Sequence, residues 1–408
     1  MKYDFDEIVN RKNTNSLKYD FFKERGKSEK LLPLWVADMD FKVPREVTEA
    51  LIKKAEHGIF GYSEPKEEYF NAIASWFKRR HGWEMDTSKL VLSSSVVYAI
   101  CTLIQILTKE GDAVIINQPV YYPFEESIRL NHRKLVVNEL VERDGKYFID
   151  FLDFEKKIVE NNVKLFVLCN PHNPVGRVWS RGELQRLARI CLSNGVFVIS
   201  DEIHADFTYP GFKHTAYATL GEEFQGSCAI CTAPTKTFNL AGLHNANIYI
   251  QDDGIRNRYK RQLAVHGYSQ SNIMGITACQ VAYSLGEEWF LQLKDYLVGN
   301  LAYLRKYLKE NIPKIKLIEP EGTYLIWLDC RNLGLSDKEL SNFIKTDAQL
   351  WLDDGYVFGS GGSGFERVNI ACPRSVLSKA LERLAFAIKK WKRNKRRQKW
   401  GGQSHDIS

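Results

Sequence analysis

Four short apolar runs punctuate the middle of the chain: DAVIINQ at 112–118, KLFVLCN at 164–170, VFVISDE at 196–202 and CAICTA at 228–233. Each is continuously apolar and partly β-branched, the pattern of a strand buried on both faces. Between the second and third, ELQRLARICLSN at 183–194 carries apolar residues at helical spacing, and Gly195 follows as a C-terminal cap. Buried strands alternating with helices predict an α/β fold around a mostly parallel sheet, in which ligands bind beyond the carboxyl ends of the strands. After about residue 286 the pattern changes. A long helical stretch at 287–311, then EGTYLIWLD, more helix, ERVNIAC and a final helix from Ser375 predict a smaller α+β domain. The expected divisions are an irregular N-terminal segment at 1–47 packing with the small domain, a large domain at 48–285, the small domain at 286–390, and a flexible basic tail at 391–408.

Composition excludes several classes. With 44% hydrophobic and 26% charged residues, the 408-residue chain is neither disordered nor fibrous, and it is long enough to bury a large core. No apolar run approaches the ~18 residues that cross a bilayer, and the charged start MKYDFDEIVNRKN lacks the apolar core of a secretory signal. A cytoplasmic protein without a membrane partner is expected. The net charge of +7 is local: KKWKRNKRRQK at 389–399 holds eight Lys or Arg, and the rest of the chain sums to −1. Nucleic acid is therefore not an expected partner. The eight cysteines are scattered through apolar segments, as reduced core thiols are. Cys228 and Cys231 form a CxxC, but three positions apart in a strand they point to opposite faces, so no metal site is expected.

The chemistry gathers where the predicted strands end. KLFVLCN runs into a Pro- and Gly-rich turn that presents Asn173; VFVISDE ends near Asp201; CAICTA leads into Pro234-Thr235-Lys236. An Asp there is often only a helix cap, a Lys a solvated side chain and an Asn a turn former. Together on one rim they match the needs of pyridoxal phosphate: an amine for its aldehyde, an acid for its pyridine nitrogen, and an amide for its phenolic oxygen. The stretch LSSSVVY at 92–98 precedes the apolar helical run AICTLIQIL at 99–107, giving serine hydroxyls and first-turn N–H groups for a phosphate. No GxxxxGK[ST] supports an ATP loop, and GSGGSG at 359–364 opens no helix.

LPLWVADMDF, GYSEP, QPVYYPF, NPHNPVGRVW, SDEIHADF, APTKTFNLAGL, EGTYLIWLD and GFERVNIACPR occur in this order along nearly the whole chain. The set resembles the fold-type I pyridoxal-phosphate enzymes, the aspartate aminotransferase superfamily, and within them the MalY/PatB family of cystathionine β-lyase-like carbon–sulfur lyases. The resemblance implies a large domain with a seven-stranded, mostly parallel sheet and a smaller α+β domain. It implies Lys236 as the lysine that binds the cofactor's aldehyde and then moves the substrate α-proton. It implies Asp201 at the pyridine nitrogen, Asn173 at the phenolic oxygen and substrate carboxylate, and Tyr121 stacked on the ring. It implies a phosphate held by Val96, Val97 and Thr235, and by Tyr62 across a homodimer interface. Arg367 would pair with the substrate α-carboxylate, the Ala37 backbone would close over it, and His204 would lie near the ring. Two positions depart from the superfamily: His244 stands where many aminotransferases carry a phosphate-binding Arg, and SSSVVY lacks the usual loop glycine. The implied reaction is β-elimination on L-cystathionine or another S-substituted L-cysteine. The residues named serve an aminotransferase equally, and a regulatory protein built on the same scaffold is a third reading.

Overall fold

The computed structural model describes residues 3–268 and 270–401, with side chains as far as residue 393. Seven strands build the central sheet: β1 (Leu90–Ser93), β2 (Ala113–Gln118), β3 (Lys134–Glu139), β4 (Leu165–Cys169), β5 (Phe197–Asp201), β6 (Cys228–Thr232) and β7 (Ala246–Ile250). Their order is β1-β7-β6-β5-β4-β2-β3. β7 runs antiparallel to both neighbours, and every other pair is parallel. The four apolar runs are β2, β4, β5 and β6. β2, β4, β6 and β7 are buried at every position, because helices cover both faces of the sheet. Val96–Leu107, Pro123–Leu130 and Asp253–Val265 pack on one face through Leu103, Phe124 and Tyr259. Glu67–His81, Arg181–Ser193 and Ile273–Leu285 pack on the other through Trp76, Leu187 and Ile276. Cys228 belongs to the second core and Cys231 to the first, so the CxxC sulfurs do face opposite ways.

The small sheet is antiparallel throughout, with β8 (Lys316–Leu317), β9 (Leu325–Asp329), β10 (Asp353–Asp354) and β11 (Phe365–Asn369) in the order β8-β9-β11-β10. The helix Glu287–Asn311 has the bounds that the apolar spacing predicts. The N-terminal residues are mostly irregular but tied down: Leu32–Pro33 pairs in parallel with Leu350–Trp351, and Trp35 stacks on Trp351 at 4.6 Å. Phe5 meets Phe41 and Trp289 edge-on. The last helix runs Arg374–Gly401, so the basic run expected to be a flexible tail continues it as far as Gly401, in keeping with the good helix propensity of Lys, Arg and Gln. Residues 402–408 lie outside the described residues. Among the described residues no helix is long and apolar enough to cross a membrane.

Candidate active site

The reversed direction of β7 brings the carboxyl ends of β1, β2, β4, β5 and β6 and the amino end of β7 to one rim. The register shows this: Ala246 lies opposite Ser93, Asn247 opposite Thr232, and Asp201 beside both Cys169 and Cys231. The loops leaving that rim enclose a cavity of about 190 Å³. Thr235 and Lys236 reach it from β6, Asp201 and His204 from β5, Asn173 from β4, and Tyr121 from β2. Val96 and Val97 reach it from the helix after β1, and Ala37 from the N-terminal segment. Nine of the eleven predicted site residues therefore share one cavity.

Two of its ionisable groups are held toward their neutral forms. Burial brings the Lys236 amine down to about 8, with Arg367 adding to the effect, while Asp38 and Asp201 oppose it. Nζ donates to the Ala37 carbonyl at 2.8 Å. Burial lifts the Asp201 carboxyl to about 7, although the Ile203 N–H donates to it at 3.0 Å and Lys236 also pulls it down. His204 is buried with Nδ1 unpartnered, and burial keeps its ring neutral.

At the other end of the cavity Ser95 caps the helix Val96–Leu107, its hydroxyl accepting the Tyr98 N–H at 3.1 Å. The Val96 and Val97 amides are first-turn donors that a helix leaves without an intrahelical acceptor. With Ser94, Ser95 and Thr235 lining the same end, the arrangement suits an anion. His244 and Asn245, from the amino end of β7, also line it. Asn245 carries no motif signal and sequence reasoning missed it.

Arg367 does not line the cavity itself; it is buried behind Asn173. Nη1 donates to Asn173 Oδ1 at 2.9 Å, and Nη2 to the Trp35 carbonyl at 2.9 Å and to Asp353. Asp353 faces Arg367 directly across the β10–β11 pair, and no sequence signal marks it. The Trp35–Met39 backbone is strapped over the site. Asn369 donates to the Val36 and Asp38 carbonyls at 2.7 and 2.6 Å, Tyr324 to the Ala37 carbonyl at 3.1 Å, and Asn239 accepts the Met39 N–H at 2.9 Å. The turn presenting Asn173 requires its glycine: Gly176 has φ +72°, and a Cβ there would lie 2.9 Å from Pro320 Cβ. Tyr62 is the predicted residue that stands apart, 97% exposed and not on this cavity.

Asp201 carries a testable pH signature. Its carboxyl sits at about 7 in the folded chain and near ~3.9 when unfolded. Between those values the folded state holds the extra proton, so the contribution of Asp201 to stability is lost as the pH rises through that window. In the ligand-free protein, Asp201→Asn gains stability relative to wild type as the pH rises from ~4 through ~7. Calorimetric melting across this range checks it; a difference that does not change with pH contradicts it.

Comparison with known proteins agrees with this architecture. The profile of the family described as aminotransferase class I and II matches residues 29–384. The chain is 41% identical over 384 residues to cystathionine beta-lyase PatB of Bacillus subtilis, covering 94% of this chain and 99% of that protein. It is 33% identical over 389 residues to protein MalY of Escherichia coli, covering 95% and 99%. Its backbone matches the crystal structure of cystalysin from Treponema denticola, which contains a pyridoxal 5'-phosphate cofactor, with a TM-score of 0.93 at 39% identity, covering 96% of this chain and 100% of that one. The α/β fold is thus that of the fold-type I enzymes. With a lysine, an aspartate and an asparagine gathered at the strand ends of a sheet that lies wholly within the matched residues, the chain belongs to the aminotransferase class I and II family.

Proposed function

We propose that this chain is a pyridoxal-phosphate-dependent carbon–sulfur lyase that cleaves the Cβ–S bond of L-cystathionine or a related S-substituted L-cysteine, giving a thiol, pyruvate and ammonia. The observation that carries this reading is a desolvated lysine amine and a buried carboxylate facing one cavity, with an anion-binding helix start at its far end. The donor set fits the cofactor: an amine for the aldehyde, a carboxylate for the pyridine nitrogen, amides and hydroxyls for the phosphate. His204 Nδ1, buried and unpartnered, adds a polar atom beside the ring's expected place.

Bound there, pyridoxal phosphate supplies an aldehyde that couples to amines and a ring that accepts electrons from the substrate Cα. Asp201 would hold the proton of the pyridine nitrogen, Ser94, Ser95, Val96, Val97 and Thr235 would hold the phosphate, and Tyr121 would face the ring. Arg367, now bonded through Nη1 to Asn173 Oδ1 and through Nη2 to the Trp35 carbonyl, would turn its planar fork to the α-carboxylate by exchanging those two bonds, the recognition that guanidinium geometry favours. Asn173, bonded to that arginine, would serve the phenolic oxygen, and the Ala37 backbone would close the site. The Lys236 amine, brought to about 8, is a strong enough base near neutrality to lift the α-proton. With that proton gone, the β-sulfur would leave as a thiolate and take up a proton to give the thiol, and the three-carbon enamine, once released, would be hydrolysed by one water to pyruvate and ammonia. Tyr62, 97% exposed beside the exposed Ile59 and Phe60, supports a homodimer in which it reaches the partner's phosphate. The eight unpaired cysteines support a cytoplasmic setting.

An aminotransferase would use the same lysine, aspartate and arginine, but it turns over only with a keto-acid acceptor. The names of the relatives support the lyase. Incubation with L-cystathionine alone releases pyruvate and free thiol in equal amounts, from a particle of twice the chain mass by light scattering. Strict dependence on an added keto acid overturns the lyase reading in favour of transamination.

A further inference from the structure

Behind the cavity wall lies a buried polar cluster that the reaction described above does not use. Asp206 is buried on the loop that leaves β5, five residues after Asp201, and its carboxylate collects donors from two other elements. Thr237 Oγ1 donates to it at 2.6 Å, Trp76 Nε1 lies 3.1 and 3.2 Å from its two oxygens, and His81 Nε2 lies at 2.9 Å. Burial alone would raise this carboxyl; the hydrogen bonds from His81 and Thr237 hold it below the usual range, so it is an anion. Trp76 and His81 belong to the helix Glu67–His81. Thr237 closes the four-residue helix Pro234–Thr237, directly after Lys236.

The segment that follows this short helix is also held: Asn239 bonds to the Met39 and Phe41 backbone. Among the described residues, the Thr237 hydroxyl is the one side chain of this turn, besides Lys236 itself, whose hydrogen bond ties it to another element. On the far side, Phe238 is buried against Trp76 at 5.2 Å and Tyr283 at 5.7 Å. The aromatic contact sets the depth of the turn, but packing alone is non-directional. The bond from Thr237 to a fixed carboxylate supplies the direction, and it joins the loop that follows Asp201 to the turn carrying Lys236.

Resting on the lyase reading, we propose that Asp206 is a positioning residue, which through Thr237 fixes the turn from which the Lys236 amine reaches the reacting carbon. Proton transfer is sensitive to displacement of the base, so loss of the bond acts on turnover rather than on substrate affinity. In the holoenzyme, Thr237→Val lowers kcat by about tenfold to a hundredfold and leaves KM near its wild-type value. It also slows the capture of pyridoxal phosphate by cofactor-free enzyme, followed by absorbance, because that step uses the same amine. Thr237→Ser keeps the hydroxyl and restores both rates. If the valine variant does not accumulate as folded protein, Thr237→Ala is read the same way. Wild-type turnover and wild-type capture in the folded variant, whatever its melting temperature, overturn the positioning role and leave the lyase reading standing. A wild-type enzyme that captures no pyridoxal phosphate overturns the lyase reading itself, and the positioning role with it.

Discussion

Lys236→Ala lowers kcat for cystathionine cleavage by about a thousandfold or more while leaving the protein folded. The amine serves twice, first as the attachment point for an aldehyde and then as the base at the substrate Cα. No other group on the cavity wall can take both roles. His204 is neutral but cannot provide a primary amine, and Asp201 faces the same cavity from the neighbouring strand as an acid. The fold does not depend on the lysine. Its one hydrogen bond goes to the Ala37 carbonyl, which still accepts from Tyr324 at 3.1 Å after the change. A buried amine that has been pulled down to about 8 disfavours the folded state at neutral pH, so removing it raises the melting temperature of the cofactor-free protein. Steady-state kinetics and a thermal melt on the same preparation check both halves. An inactive variant that has also lost its cooperative melt would show only that the residue is structural.

Arg367→Ala affects both activity and stability, and the two separate in a second variant. Without the guanidinium the substrate α-carboxylate loses a bidentate charged pair, worth roughly 1.5–3 kcal/mol per hydrogen bond, so kcat/KM falls by about a hundredfold or more, mostly through KM. Asp353 is then left without its partner in a nearly buried position, 12% exposed at the side chain. Breaking one side of a buried pair costs about 3–5 kcal/mol. Asp353→Asn in the Arg367→Ala background removes the orphaned charge. The double variant therefore recovers most of the lost stability in a urea titration and none of the affinity for cystathionine. If the double variant binds substrate like wild type, Arg367 is not the carboxylate site.

Much of this was legible in the chain because buried parallel strands and strand-end chemistry both leave local marks. β2, β4, β5 and β6 announce themselves as continuous apolar runs; Asp201 ends one of them, and Asn173 and Lys236 follow two others within a few residues. What stayed hidden depends on contacts between distant segments. Asp353 sits in WLDDG, between the segments that carry motifs, and only its antiparallel register with β11 brings it to Arg367. The strap over the site is held through backbone carbonyls at residues 35–38, and a carbonyl has no sequence signature. The segments NPHNPVGRVW and EGTYLIWLD prove to be halves of one structure: Arg177 Nε donates to Glu321 at 2.8 Å, the Val178 N–H donates to the same oxygen at 2.9 Å, and the Gly176 carbonyl accepts the Glu321 and Gly322 N–H groups. Glu321 thus braces the turn that carries Asn173, a role that neither segment reveals alone. The reversal of β7, which adds His244 and Asn245 to the rim, was equally invisible, since an apolar run does not tell its direction.

The central claim is that one lysine at the rim of the sheet binds an aldehyde cofactor covalently. Its most direct test is to incubate the cofactor-free protein with pyridoxal phosphate, reduce with borohydride, digest and locate the adduct by mass spectrometry. The account predicts a single phosphopyridoxyl group, on the peptide containing Lys236. An adduct spread over surface lysines, or confined to a different one, would contradict it.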